Sequence, residues 1–439
     1  MKKVFFIICV FLMMPFMMRG QKWYPVGMGV NKGVYALDSL YGNLYVGGVF
    51  DSAEGHTANC IAKWNGASWD SLGSGVSASK DSLISYYVDA LVNYNNKLYV
   101  GGNFTATGGK PSNNIAQWDG STWSPLDSGT NNSVFALLVY NGKLIVGGQF
   151  TSAGGISTNY IAEWDGSVWT NLGTGTNGVV WALEVYNGNL IVGGYFKTAG
   201  GVQVNHIASW NGTSWSAMDK GVNGQVYTLS VYNNSLFVGG TFDSASGNKV
   251  NYIAEWNGTS WSALGSGMNN QVNALTVYNN NLIVGGYFTT AGGMSANYVA
   301  EWNNVFWSPL DNGLNFGSDA LVSYDGILFA GGVFDSASKN PANYIAQWGG
   351  TAGLNELSIN NNINTYPNPT TGIFTFNLSG NNEKANLIIY NMLGENIYKA
   401  QFNTATTQIN LSGQPAGIYL YRIISEKGEA IASGKLVIE

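Results

Sequence analysis

The chain has 439 residues, of which only 10% are charged, and it carries 59 Gly, 15 Trp, 25 Tyr and a formal charge of −6. That composition suits Gly-turned, aromatic-packed β structure and excludes long solvated helices, coiled coil and disorder. Arginine occurs only at Arg19 and Arg422, so no basic patch exists to neutralise phosphates, and nucleic acid is excluded as a partner.

Lys2 and Lys3 precede the apolar run Val4–Met18, and Arg19-Gly20-Gln21 then turns polar. This order predicts a secretory signal peptide over residues 1–20. The run is too short to cross a bilayer, so no transmembrane segment is expected in the mature chain. Cys9 lies within the leader, and Ile8 before it does not suit a lipoprotein cleavage site. Cys60 is then the remaining cysteine, so no internal disulfide is expected and packing must supply stability.

A signature Gly-Gly-x-Phe follows, with Phe at 50, 104, 150, 196, 242, 288 and 334; after one step of 54 residues the spacing is 46 throughout. Each repeat holds four short β-type runs. In the sixth these are Val272–Tyr278, Leu282–Val284, Asn297–Trp302 and Trp307–Leu310, separated by Asn-rich or Gly-rich turns. One Trp series falls at 64, 118, 164, 210, 256, 302 and 348, and a second at 23, 69, 123, 169, 215, 261 and 307. The seventh repeat lacks its second Trp, whereas Trp23 stands alone near the N-terminus. The early strand is therefore expected to complete the last repeat and close a ring, because an unpaired edge would otherwise be left open.

The hydrophobic run with Gly-Gly, the aromatic ending the third strand and the Trp opening the fourth resemble the kelch-like repeats. They are also similar to secreted arrays of bacterial surface proteins. The resemblance implies an all-β fold: a seven-bladed β-propeller over residues 21–348 with four-stranded blades, closed by the N-terminal strand. It departs from the kelch pattern in the short interval between aromatic and Trp, as from Trp256 to Trp261.

Residues 349–364 form a Gly/Asn-rich linker. Beyond it, alternating runs predict a small Ig-like β-sandwich over 365–439. Tyr366-Pro-Asn-Pro-Thr-Thr-Gly, Tyr390-Asn-Met-Leu-Gly394, Pro415-Ala-Gly-Ile-Tyr419 and Gly434-Lys-Leu-Val437 stand in an order that resembles the type A C-terminal sorting domain of the Bacteroidetes type IX secretion system. That resemblance implies the secretion machinery as a partner and a secreted or cell-surface, outer-membrane-associated location.

Catalytic chemistry is sparse. His56 and His206 are the two histidines; His56 is placed in a loop, and His206 occupies the slot held by Tyr160, Tyr252, Tyr298 and Tyr344 as a strand residue. No metal or other cofactor is expected, since no His/Cys pairing or Asp-x-Asp-x-Asp series is present. Asp51, Asp243 and Asp335 follow the signature Phe and read as turn caps. Ser39, Ser52 and Ser244 fall in short sequences similar to the O-glycosylation pattern of that phylum.

A binding position should vary where framework positions recur. In the first strand Val-x-Ala-Leu, x is Tyr35, Asp89, Phe135, Trp181, Tyr227, Asn273 or Asp319. The propeller resemblance implies that this strand lines a central channel with x near its mouth. Four aromatics, two Asp and one Asn there suit a glycan or an extracellular protein ligand, although x could equally pack between repeats. The eight-residue excess within Ser74–Tyr87, holding Lys80, Asp81, Tyr86 and Tyr87, adds a second candidate contact. The reading is a non-catalytic surface binding or adhesion module. Its alternatives are a glycan-active enzyme using Asp89 and Asp319, and a structural spacer.

Overall fold

The computed structural model describes residues 21–77, 86–349, 363–378, 385–391, 396–402, 406–425 and 430–439. The expected signal peptide, most of the linker, and Lys80 and Asp81 lie outside these. The chain divides into two compact units, Met1–Thr351 and Ala352–Glu439.

Within the first unit the fifth repeat shows how the sequence builds a sheet. The inner strand Val226–Tyr232 pairs antiparallel with Ser235–Gly240, which pairs with Ile253–Trp256, which pairs with Trp261–Ala263. Asn233 and Asn234 make the first turn with φ of 46° and 61°, a left-handed conformation that Asn tolerates and tight hairpins require. Trp256 faces Trp261 across the last pair, ring centroids 5.1 Å apart. The Trp261 indole N–H donates to the Met218 carbonyl of the preceding repeat at 3.1 Å. Five other repeats repeat that tie, from Trp69, Trp123, Trp169, Trp215 and Trp307.

The expected closed, seven-bladed kelch-like β-propeller is corrected by the strand pairing. Among the described residues the unit is a tandem array of discrete antiparallel sheets, seven four-stranded ones and smaller two- and three-stranded ones, and none closes on itself into a barrel or propeller. The physical reason is that the repeat signature specifies strand-ladder pairing only within a repeat, and single ties such as the Trp indoles between repeats. Four-stranded sheets of neighbouring repeats meet through side chains. Trp23–Pro25 does pair with Ile345–Trp348, so the seventh sheet takes its fourth strand from the start of the array.

The repeats hold a further element that the sequence reading missed. A two-residue hairpin follows each signature Phe, such as Ser244–Ala245 with Asn248–Lys249. His56 accordingly lies in such a strand, His56–Thr57, rather than in a loop. In the second repeat Val76–Ser77 adds to this hairpin and makes it three-stranded.

Both glycines of the signature are dictated by close approach. A Cβ on the first, at Gly47, Gly101, Gly147, Gly193, Gly239 or Gly331, would fall inside 3.0 Å of the Val Cγ1 of a neighbouring inner strand. The partners are Val88, Val134, Val180, Val226, Val272 and Val34; Gly285 meets Ser318 in the same way. Gly331 thus packs the seventh sheet on the first as the others pack successive ones. A Cβ on the second glycine, such as Gly194, would strike the Val179 carbonyl of its own inner strand.

The second unit has a three-stranded sheet (Ile363–Tyr366, Ile373–Leu378, Thr406–Asn410) and a four-stranded one (Asn396–Phe402, Ala385–Tyr390, Gly417–Ser425, Ala430–Ile438). Phe374, Phe376 and Ile409 from the first sheet and Leu387, Ile389, Ile423 and Leu436 from the second share one buried core, so the two sheets face each other as a sandwich.

Gly193→Ala is expected to destabilise the chain by about 1–3 kcal/mol through overpacking against Val226. Adding Val226→Ala should return part of that loss, read as a favourable coupling in a double-mutant cycle of denaturant midpoints. Additive losses would remove the Gly–Val contact as the cause.

Candidate functional site

The inner strands carry an irregularity at the same place in every repeat. Val34 pairs with Gly48 and Ala36 with Gly47, so Tyr35 is an extra residue with no partner in the ladder. The same register shift leaves Asp89, Phe135, Trp181, Tyr227, Asn273 and Asp319 unpaired. Each is a β-bulge, which re-aims one side chain out of the strand's alternation. The residue before each bulge, Val in six repeats and Ser318 in the seventh, packs on the neighbouring repeat's glycine, while the bulged residue is released from that duty.

All seven bulged residues line one cavity of about 230 Å³, walled further by the Ala or Thr and the Leu that follow them in each strand. Each is half-buried. The cavity has two unlike arcs. On one, Phe135 and Trp181 stack with centroids 4.2 Å apart, and Tyr227 meets Trp181 edge-on at 6.0 Å. The Trp181 indole nitrogen is buried without a hydrogen-bond partner. On the other arc Asn273 donates to Asp319 Oδ1 at 2.8 Å, and the Tyr287 hydroxyl donates to Asp319 Oδ2 at 3.4 Å.

Electrostatics follow from this division. Burial, and then the Asp319 charge, push the Asp89 carboxyl up to about 7. Asp319 is also raised by burial, with Asn273 and Tyr287 opposing. Burial and both carboxylates raise the Tyr35 phenol. Asp89 and Asp319 thus flank Tyr35 on one arc, from the inner strands packed on either side of the first repeat's. Among the cavity-lining residues they are the only charged groups.

Tyr86 and Tyr87 do not line the cavity. Tyr86 packs against the core between the first two repeats, where its carbonyl accepts from the Cys60 thiol at 3.5 Å. Tyr87 is half-buried at the start of Tyr87–Tyr94 and pairs with Asn103. What the sequence reading missed is the set of residues that support the bulges. Gln271 Nε2 donates to Asn273 Oδ1 at 3.1 Å, and the Tyr227 hydroxyl donates to Gln225 at 2.8 Å. The available signal was variability: the residue before each Val and the residue between Gly-Gly and Phe differ among repeats as x does.

The other candidates have local roles. His206 precedes the strand Ile207–Trp210 with φ of 64°, a conformation shared by Tyr160, Tyr252, Tyr298 and Tyr344, so this slot is a left-handed turn rather than a strand position. Its ring stacks on Tyr195 and its Nε2 lies 2.8 Å from Lys197 Nζ. Burial and then that ammonium lower its pKa to about 4, so Nε2 accepts from the lysine. Asp243 accepts from Asn223 Nδ2 at 2.7 Å while Asn223 Oδ1 takes the backbone N–H groups of Asp243 and Ser244, which fixes the turn. Cys60 is free and buried, and burial pushes its thiol up to about 12. Among the described residues no three His, Cys, Asp or Glu side chains gather to hold a metal ion.

Asp89 makes stability fall as pH rises. Its folded pKa of about 7 lies above its ordinary 3.8, so the folded state holds the proton more tightly between those values. The full penalty, at most on the order of 4 kcal/mol given partial exposure to the cavity, is present above the folded pKa and absent below the unfolded one. Asp89→Asn should therefore unfold at higher denaturant than the parent at pH 8 and at nearly the same concentration at pH 4. Equal midpoints at both pH values would remove the buried charge as a cost. Asp319, Tyr35 and Tyr87 are the titratable neighbours, and of these only Asp319 shares the acidic range.

Comparison with known proteins bears on the C-terminal unit above all. Residues 364–439 match the family described as a secretion system C-terminal sorting domain. Residues 141–163, a stretch within one repeat, match a β-propeller domain of unknown function, DUF5122. No curated protein matches the chain. Among solved structures, the extracellular domain of a one component system from B. thetaiotaomicron is 13% identical with a TM-score of 0.47, covering 96% of this chain and 58% of that one. The extracellular domain of a hybrid two component system from the same organism is 14% identical with a TM-score of 0.46, covering 96% and 59%. A fungal alcohol oxidase of the AA5 family in complex with copper is 14% identical with a TM-score of 0.40, covering 95% and 99%. The chain thus spans 58% of the length of the first of these. Among the described residues no helix is long and apolar enough to cross a membrane. The sorting domain makes this a secreted, cell-surface protein of Bacteroidetes type, associated with the outer membrane and carrying a β-rich extracellular region.

Proposed function

We propose that the repeat array is a non-catalytic binding module displayed at the cell surface, and that its cavity recognises a glycan or an extracellular protein. The observation that carries this reading is the convergence of seven bulged side chains on one cavity. Bulges disrupt pairing, yet all seven inner strands keep one, and the side chains so released are the variable ones. Aromatic faces beside a few orienting polar groups suit a polar ligand with apolar faces, such as a sugar ring.

A second reading, a glycan-active enzyme, draws on Asp89 and Asp319. A carboxyl held protonated near neutrality beside a second carboxylate is the arrangement of an acid and a base. The two readings differ in what the charges do. The protein presented to arrays of glycans and surface polysaccharides should bind without releasing sugar. Trp181→Ala should lower affinity about tenfold or more, the scale of a lost stacking contact. Released product that disappears with Asp89→Asn plus Asp319→Asn would establish the enzyme instead.

A further inference from the structure

We infer that the cavity of the repeat array takes a protonated organic amine, its charge set between Asp89 and Asp319 and its carbon skeleton against Phe135, Trp181 and Tyr227. This rests on the binding-module reading and names the chemistry of its ligand. Three observations meet here. Among the described residues the two carboxylates are the only charged groups lining the cavity. Asp319 is held in place by Asn273 and Tyr287, so its oxygens point where those donors fix them. The facing arc is aromatic, and Trp181 is itself pinned between Phe135 and Tyr227.

The ligand class follows by elimination. An anion would meet two carboxylates and no counter-charge. A bare divalent ion needs six or more oxygens in a compact shell, and no third acidic side chain joins the pair. A neutral ring could stack on the aromatics but would leave both carboxylates uncompensated in a half-buried cavity. An organic ammonium satisfies both arcs, by charge-assisted hydrogen bonds to the carboxylates on one side and by packing its carbon skeleton, polarised by the charge, on the aromatic faces of the other. Two sources carry this chemistry, the amino group of a de-N-acetylated sugar and a lysine side chain.

The test is calorimetric titration of the full chain at pH 7.5 with matched probes. These are a glucosamine oligomer, its N-acetylated counterpart, N-acetyl-lysine amide and tetramethylammonium. The amine-bearing oligomer should bind at least tenfold tighter than the acetylated one, and Asp319→Asn or Asp89→Asn should each weaken it about tenfold. Tyr227→Ala should weaken tetramethylammonium without altering the circular dichroism of the fold. N-acetyl-lysine amide binding as tightly as the sugar amine would assign the site to peptides and support the inference equally. Equal or tighter binding of the acetylated oligomer, or amine affinity unchanged in both Asp variants, would overturn it. If the acetylated oligomer alone binds, and loses affinity in Trp181→Ala, the binding module stands and the amine assignment falls. If none of the probes binds at millimolar concentration, the amine assignment falls, and the glycan and polysaccharide arrays still decide the module.

Discussion

The structure of the array depends on how closely one repeat approaches the next. The first glycine of each signature sits beneath the inner-strand Val, or Ser318, of a neighbouring repeat at a separation that leaves no room for a Cβ. Close-packed interiors tolerate neither a void nor an extra methyl at such a point. Gly-Gly therefore recurs because two backbones and a valine must occupy one place. Once that contact is set, the Trp indoles reach the preceding repeat's carbonyls, and Tyr140, Tyr186 and Tyr232 donate to the following repeat's hairpin turns. The order of dependence runs from a missing side chain to the spacing of whole sheets.

The bulge is the second consequence of that contact. In a regular strand alternate residues share a face, so Val34 and Ala36 would carry Tyr35 to the opposite face of the same sheet. The inserted residue breaks that link. Val34 can then serve the neighbouring repeat while Tyr35 turns into the cavity, and the identity of residue 35 no longer affects sheet packing. A framework that repeats strictly and a lining that varies freely coexist because the bulge separates them.

Much of this was legible in the sequence, and the limits have physical causes. The period, the four runs per repeat and the pairing of Trp23 with Trp348 followed from residue spacing and from one Trp missing after Trp348. Closure into a ring was expected because the Trp23 strand completes the last repeat and an open array would leave an unpaired edge, and the pairing corrects it to discrete sheets, since spacing reports which strands belong to a repeat and not what joins repeats. The variable positions were found because variation against a fixed background is visible in a single repetitive chain. The bulges were not, because an extra residue in a Val-x-Ala run looks like ordinary alternation. Tyr86 lies in an irregular connection and packs partly on the core beside Cys60, a contact that spacing does not report. Tyr287 was hidden because its slot follows no fixed pattern among the repeats and only geometry brings its hydroxyl to Asp319.

Stability alone would remove the two carboxylates. Burial raises both Asp89 and Asp319, which means that ionising either one weakens the folded state. The slot does not demand acids, since Phe135 and Trp181 fill it elsewhere and bury apolar surface in doing so. Among the described residues no lysine or arginine lines the cavity to offset them. A position that accepts an aromatic in four repeats and carries an acid whose ionisation burial opposes in two is paying for something other than folding. Asn273 and Tyr287 each donate to one oxygen of Asp319, so the array itself orients the carboxylate whose ionisation burial opposes.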